Sequence, residues 1–436
     1  MPAAPTPVGI DQLAAAIDAD LAPGRVTAVT GLVIRAVIAG AVLGEVVAIA
    51  RASGPPLAAE VVGFDEDDAV LLPLGELTGL SPASAVGRTG APFGIVAGDG
   101  LRGRVLDGLG RPMDGGPPIV GETWAVDRPA PAATARAPIT QPLATGVRAV
   151  DGFATLGLGQ RIGVFAGSGV GKSTLLGQIA RGADADVIVV GLIGERGREL
   201  GDFLAGPLAA VRDRAVVVCA TSDAPSLVRL RAAHVATAIA EWFRDRQGAR
   251  VLLVLDSLTR VARAQREVGL SAGEPPARHG YPPSVFAMLP RLVERAGTAP
   301  RGAITAIYTV LVAGGDLDEP IADEVRGIVD GHLVLDRRLA ARGHFPPIDV
   351  VQSVSRVMAQ VASSDHRHAA ATARRRLSIY EEHRDLITLG AYKAGADRAL
   401  DDAVAHQVEL ERFLRQGPDD ASELATTVTR LTTISR

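Results

Sequence analysis

The chain has 436 residues, 47% of them hydrophobic and 3% aromatic, and 45 Lys+Arg against 49 Asp+Glu give a formal net charge of −4. That length exceeds one ordinary domain and carries enough apolar residues for a sizeable core. The charge balance argues against a dedicated nucleic-acid binder, and the single cysteine, Cys219, excludes an internal disulfide framework and fits a reducing cytosol.

The opening "MPAAPTPVGIDQ" lacks a basic segment followed by an apolar run, so no secretory signal is expected. Over 10–21, Ile10, Leu13, Ala14, Ile17 and Leu21 share one helical face. Such a helix either packs on its own domain or docks a partner helix, and 1–22 is set apart as an N-terminal helix. The apolar stretch 26–50 is broken by Arg35 and Glu45 and punctuated by glycines, so it reads as strands and not as a membrane span. Short Val-rich runs separated by turn residues predict a small β-barrel over 23–92.

Residues 98–118 and 128–142 are dense in Gly, Asp, Pro and Ala and read as the crossing into the main domain, 93–360. From about 160, apolar strands alternate with helices: "RIGVFA", a helix at 172–181, "DVIVVGLI", "AVVVCA", a helix near 226–245, "RVLLVLD" and "AITAIYTVLV". Uninterrupted apolar strands of this kind predict a parallel sheet covered on both faces. Cys219, inside "AVVVCATSD", is expected to be a packing residue. Beyond about 364 strands vanish, and a helical domain is expected over 361–436.

"AGSGVGKST", residues 166–174, follows a strand and opens a helix, the context of a phosphate loop. Gly167, Gly169 and Gly171, with Ser168 and Val170 between them, let backbone N–H groups turn toward an anion at a helix N-terminus. Lys172 is one of two lysines in the chain, the other being Lys393. It supplies a compact charge for the β- and γ-phosphates of ATP, a task a guanidinium fork does not copy. Ser173 offers a hydroxyl to Mg²⁺, and Thr174 follows it in the helix. Asp256 ends the strand "RVLLVLD" at the same rim, where it either orders Mg²⁺ or caps the next helix. Glu195, in "LIGERGREL" after the strand expected beside the loop, either polarises a water or pairs with Arg196 or Arg198.

"AGSGVGKSTLL", "LIGERGREL", "LLVLDSLTR", "AGEPPARHGYPPSVFAMLPRLVERAG" and "PPIDVVQSVSRVM" resemble the protein-export ATPases of the flagellum and the type III secretion injectisome, relatives of the rotary ATP synthase α and β subunits. The resemblance runs from roughly 23 to 416. It implies an α/β fold: a RecA-like P-loop core with a parallel sheet, a small N-terminal β-barrel and a C-terminal helical domain. By position it makes Lys172 and Ser173 the phosphate and Mg²⁺ contacts, Glu195 the residue that activates water, Arg196 its neighbour near the γ-phosphate, and Asp256 the second Mg²⁺-side carboxylate. Arg356, in "SVSRVM", matches the arginine finger given to a neighbouring subunit. Phe345 stands where a relative holds an aromatic against adenine, or else packs under the C-terminal domain; Tyr392 is a further adenine-side candidate.

The resemblance also implies a homohexamer that binds ATP and Mg²⁺ in the cytoplasm, peripheral to an inner-membrane export apparatus. It would meet a stator-like regulator at the N-terminal helix, a central stalk protein, export chaperones with their cargo, and a membrane export gate. Alternatives are a rotary synthase catalytic subunit, a degenerate nucleotide-binding scaffold and an RNA-translocating hexamer. An RNA translocase needs basic and aromatic side chains at its entry. Residues 1–90 hold four basic residues against ten acidic ones, and Phe64 as sole aromatic, so no nucleic-acid partner is expected.

Overall fold

The computed structural model describes residues 6–10 and 24–436. The helix expected over 10–21 therefore lies, except for Ile10, outside the described residues. Six strands, Gly24–Thr30, Val33–Val37, Glu45–Ile49, Leu57–Asp65, Asp68–Pro73 and Ala85–Pro92, close into an antiparallel barrel in the order first, second, fifth, fourth, third, sixth. Val26, Ile34, Ala36, Val47, Ala59, Val61 and Leu71 fill it; small β-branched and Ala side chains suit so narrow an interior. Phe64, the aromatic of this region, is exposed at a strand end.

The central sheet runs Ile348–Ser355, Gly331–Leu335, Arg161–Ala166, Ala303–Leu311, Arg250–Asp256, Val187–Glu195, Ala215–Thr221, Val105–Asp107. All pairings along it are parallel except the first, where Ile348–Ser355 runs antiparallel at the edge. Its middle strands are buried almost throughout, as their unbroken apolar runs require. Cys219 is among the buried residues, and burial pushes its thiol up to about 11, which leaves it inert at neutral pH.

Two features differ from the sequence reading. The turn-rich crossing contributes the edge strand Val105–Asp107, fixed by Asp114, whose carboxylate accepts from Arg104 (2.8 and 2.9 Å) and from the Val105 N–H (2.8 Å). Three strand residues between turns are too few to show a period. The strand Val187–Glu195 does not lie beside the phosphate-loop strand; Arg250–Asp256 and Ala303–Leu311 stand between them.

The barrel is tied to the core through Arg231, on the buried helix Ser226–Gln247. Its guanidinium donates to both oxygens of Glu60, on a barrel strand, and to Asp127 at 2.6 Å. At the other end, helices Ser364–Glu382, Arg398–Leu414 and Leu424–Ser435 pack on the short helix Arg148–Phe153, with Phe413 edge-on to Phe153 at 6.3 Å.

Candidate active site

The strand Arg161–Ala166 runs straight into the loop, and the helix Lys172–Gly182 starts where the loop ends. Gly169 and Gly171 have φ of +75° and +101°, a backbone that side chains resist. A Cβ on Gly169 would meet nothing within 4 Å, so the loop backbone faces open space. The first N–H groups of the helix have no intrahelical acceptor and carry its partial positive charge. Val170 is the exception to the loop's exposure: it packs into the core beneath.

A pocket of about 570 Å³ opens over this loop, lined by Gly167, Ser168, Gly169, Gly171, Lys172, Ser173 and Thr174 with Glu195, Arg196, Asp256 and Arg260. Lys172 contacts Asp256 Oδ1 directly and stands 3.7 Å from Glu195 Oε1. The hydroxyl of Thr309 donates to the same Asp256 oxygen at 2.7 Å. Asp256 does not cap the following helix; Ser257 does, accepting from the Arg260 N–H at 3.3 Å.

Glu195 reaches this rim from three strands away because its strand overshoots. Leu192 already lies opposite Asp256, and a bulge between Ile193 and Glu195, with Gly194 at φ +68°, carries the chain onward. Arg196 and Arg198 pair with Glu199 and Asp202 (3.7 and 3.9 Å), which leaves Glu195 to Lys172. Burial pushes the Glu195 carboxyl above its usual range; Lys172 pulls it down, and nearby Asp256 and a hydrogen bond with Glu199 push it up. The result is a carboxylate of raised basicity beside a phosphate cradle, suited to taking a proton from water.

Arg260 escaped the sequence reading although it lies four residues after Asp256 in "LLVLDSLTR". It leans against the Glu195 strand at Gly194, where a Cβ would come within 3.3 Å of it, and its buried Nε has no hydrogen-bond partner among the described residues. Arg337, likewise unforeseen, donates to the Ser168 carbonyl at 3.4 Å.

Phe345 lies over Gly171, where a Cβ would sit 3.8 Å from its ring, and it lines a second pocket of about 480 Å³. Leu175, Pro346, Pro347 and Pro418 make that pocket apolar, as a base would require. Its far wall is the segment after the helix Arg398–Leu414, held by Gln416, which donates its backbone N–H to the Phe345 carbonyl (2.8 Å) and its side-chain amide to the carbonyls of Gly146 (2.6 Å) and Asp420 (2.8 Å).

Two candidates stand apart. Tyr392 lines neither pocket; its hydroxyl donates to Asp401 at 2.5 Å within the C-terminal helices. Arg356 is exposed just past the edge strand, its N–H on the Asp330 carbonyl (2.9 Å) and its guanidinium on the Arg326 carbonyl (3.3 Å). Because that strand runs antiparallel, Arg356 emerges beside Arg161, at the opposite end of the phosphate-loop strand from the loop. Five strand steps separate those ends, about 17 Å at ~3.3 Å per residue.

Three domain families match the chain: ATP synthase alpha/beta family, beta-barrel domain over 26–90, the same family's nucleotide-binding domain over 146–355, and the T3SS EscN ATPase C-terminal domain over 362–433. The chain is 51% identical to the type 3 secretion system ATPase of Xanthomonas euvesicatoria over 94% of each chain. It is also 51% identical to the flagellum-specific ATP synthase of Treponema pallidum, over 94% of this chain and 93% of that one. The assembled ATPase EscN of the enteropathogenic E. coli type III secretion system superposes with a TM-score of 0.90 at 46% identity, covering 95% of this chain and 100% of that one. EscN in complex with its central stalk EscO superposes at 0.88, with the same identity and coverage.

Proposed function

The chain belongs to the ATP synthase α/β family and, within it, to the ATPases of flagellar and type III protein export, and from that premise we propose a ring whose active sites lie between copies. Lys172 and the loop N–H groups hold the ATP phosphates, and Phe345 faces the base. Glu195 accepts the proton of the attacking water, while Arg196 and Arg260 stand at the γ-phosphate side. Arg356 of one copy completes the site of the next. The observation that carries this reading is the position of Arg356: exposed, and at the wrong end of the sheet to serve its own phosphate loop. A donor on one face and an acceptor on the other make a head-to-tail contact, which closes into a ring, and six copies follow the family pattern.

The donor set fits Mg²⁺. Among the described residues no group of three or more His, Cys, Asp or Glu could hold a metal by itself. A Ser173 hydroxyl and an Asp256 carboxylate beside a phosphate cradle are the sparse oxygen set that this ion uses together with substrate phosphates. When bound, Mg²⁺ supplies charge neutralisation on the phosphates.

Hydrolysis in such a ring would serve release of export substrates from chaperones, their unfolding and their delivery to a membrane gate, with a stalk protein at the ring's centre and a stator-like regulator at the N-terminal segment. An arginine finger is worth roughly 10³–10⁵ in turnover, about 4–7 kcal/mol of barrier. Arg356→Ala should therefore abolish assembly-stimulated hydrolysis and leave ATP affinity within a few-fold. Glu195→Gln should be equally inactive, and co-assembling the two variants should restore turnover at junctions that pair an intact Glu195 with an intact Arg356. Silence from co-assembled, well-folded blends would overturn the reading.

A further inference from the structure

Resting on Arg356 as a group delivered to the neighbouring copy, we propose that Gln160 is a positioning residue for it, acting together with Asp330 from the root of the phosphate-loop strand. Gln160 is fully buried, and a buried amide must have its hydrogen bonds made. Its amide nitrogen makes them to the finger segment and to the residue that holds it. Its Oε1 accepts from the Gly157 N–H at 2.9 Å, and its Nε2 donates to the Asp330 carbonyl and to Ser355 Oγ, both at 3.1 Å. Ser355 in turn donates its proton to the Thr155 carbonyl at 2.8 Å. The residue before the finger is thus pinned through both its lone pair and its proton.

The finger's own backbone is held by the same group. The Arg356 N–H donates to the Asp330 carbonyl that Gln160 also uses. The Asp330 carboxylate is gripped by Arg161, through the backbone N–H and Nε at 3.0 Å each and Nη2 at 3.1 Å. Gln160 therefore holds Ser355 directly and Arg161 acts on Arg356 through Asp330, and Arg161 opens the strand that ends in the phosphate loop. That strand is paired on both sides, with Ala303–Leu311 and Gly331–Leu335. One stiff element then ends in the phosphate loop of its own site, while the segment tied to its other end presents the guanidinium to the next site.

Co-assembly separates an effect on the finger from an effect on the chain's own site. Rings of Gln160→Leu should bind ATP within a few-fold of wild type and lose at least tenfold in turnover. Mixed with Glu195→Gln chains, which lend an intact finger, they should regain turnover at about a quarter of the junctions, the fraction expected for random equal mixing around a head-to-tail ring. Mixed with Arg356→Ala chains they should show no recovery. Ser355→Ala, a smaller change, should repeat the pattern with a weaker loss, and it carries the test if the Gln160 variant does not fold. The reverse pattern, recovery with Arg356→Ala and silence with Glu195→Gln, would place the defect at the chain's own phosphate loop and overturn the proposal. Wild-type turnover in both variants would do the same. The blend of Glu195→Gln with Arg356→Ala alone is the control: its silence would overturn the between-copies reading itself, whereas its recovery beside a reversed Gln160 pattern would overturn only the positioning role.

Discussion

Glu195 and Lys172 stand 3.7 Å apart, and the Glu195 carboxyl is held above its usual range by its burial and by Asp256. A base must be ionised to work, so lowering the pH through a raised pKa removes activity earlier than for an ordinary glutamate. The acid limb of the kcat–pH profile should have its midpoint above 4.5, the value of an unperturbed glutamate; a midpoint at or below that figure would count against Glu195 as the base. Phe345 offers a second residue-scale test. If its exposed face stacks on a base, Phe345→Ala should weaken ATP binding roughly fivefold to tenfold, about 1 kcal/mol, with kcat little changed. Titration with a fluorescent nucleotide would show this, and unaltered affinity would assign the ring to packing against the Gln416 segment alone.

Besides apolar packing, a few buried polar ties join the elements. Glu60 and Arg231 join barrel to core with both side chains buried. Removing one member of a buried pair strands the other, at a cost of about 3–5 kcal/mol. Glu60→Ala should fall near the low end because Asp127 still pairs with Arg231. Chemical denaturation of purified protein would measure it, and an unchanged midpoint would show that apolar contacts alone seat the barrel. At this scale the sequence was legible wherever an element was long and uniformly apolar, as in "RVLLVLD" and "AVVVCA". It was not legible for Val105–Asp107, a strand too short to show a period, nor for the place of Val187–Glu195 in the sheet. Strand order is set by crossover connections, and apolar periodicity carries no trace of them.

For the whole molecule, the decisive fact is that Arg356, just past the edge strand, emerges beside Arg161, at the end of the phosphate-loop strand away from the loop. On the reading proposed above, a lone copy would bind ATP without the guanidinium that completes its site. Turnover per chain should therefore climb with protein concentration and level off once rings are complete; a constant rate through the range where rings dissociate would contradict a shared site. The sequence by itself determined the three-part architecture and the strand, glycine-rich turn and helix around Lys172, because glycine spacing, a lysine at a helix start and apolar periodicity are local consequences of residue type. Only the tertiary structure decided which distant groups meet. It brought Arg260 to Glu195, turned Tyr392 away to Asp401 and tied Gln160 to the residues around Arg356. Those outcomes depend on strand order, an overshooting bulge and an antiparallel edge, and such long-range pairings are set by packing between segments far apart in the chain.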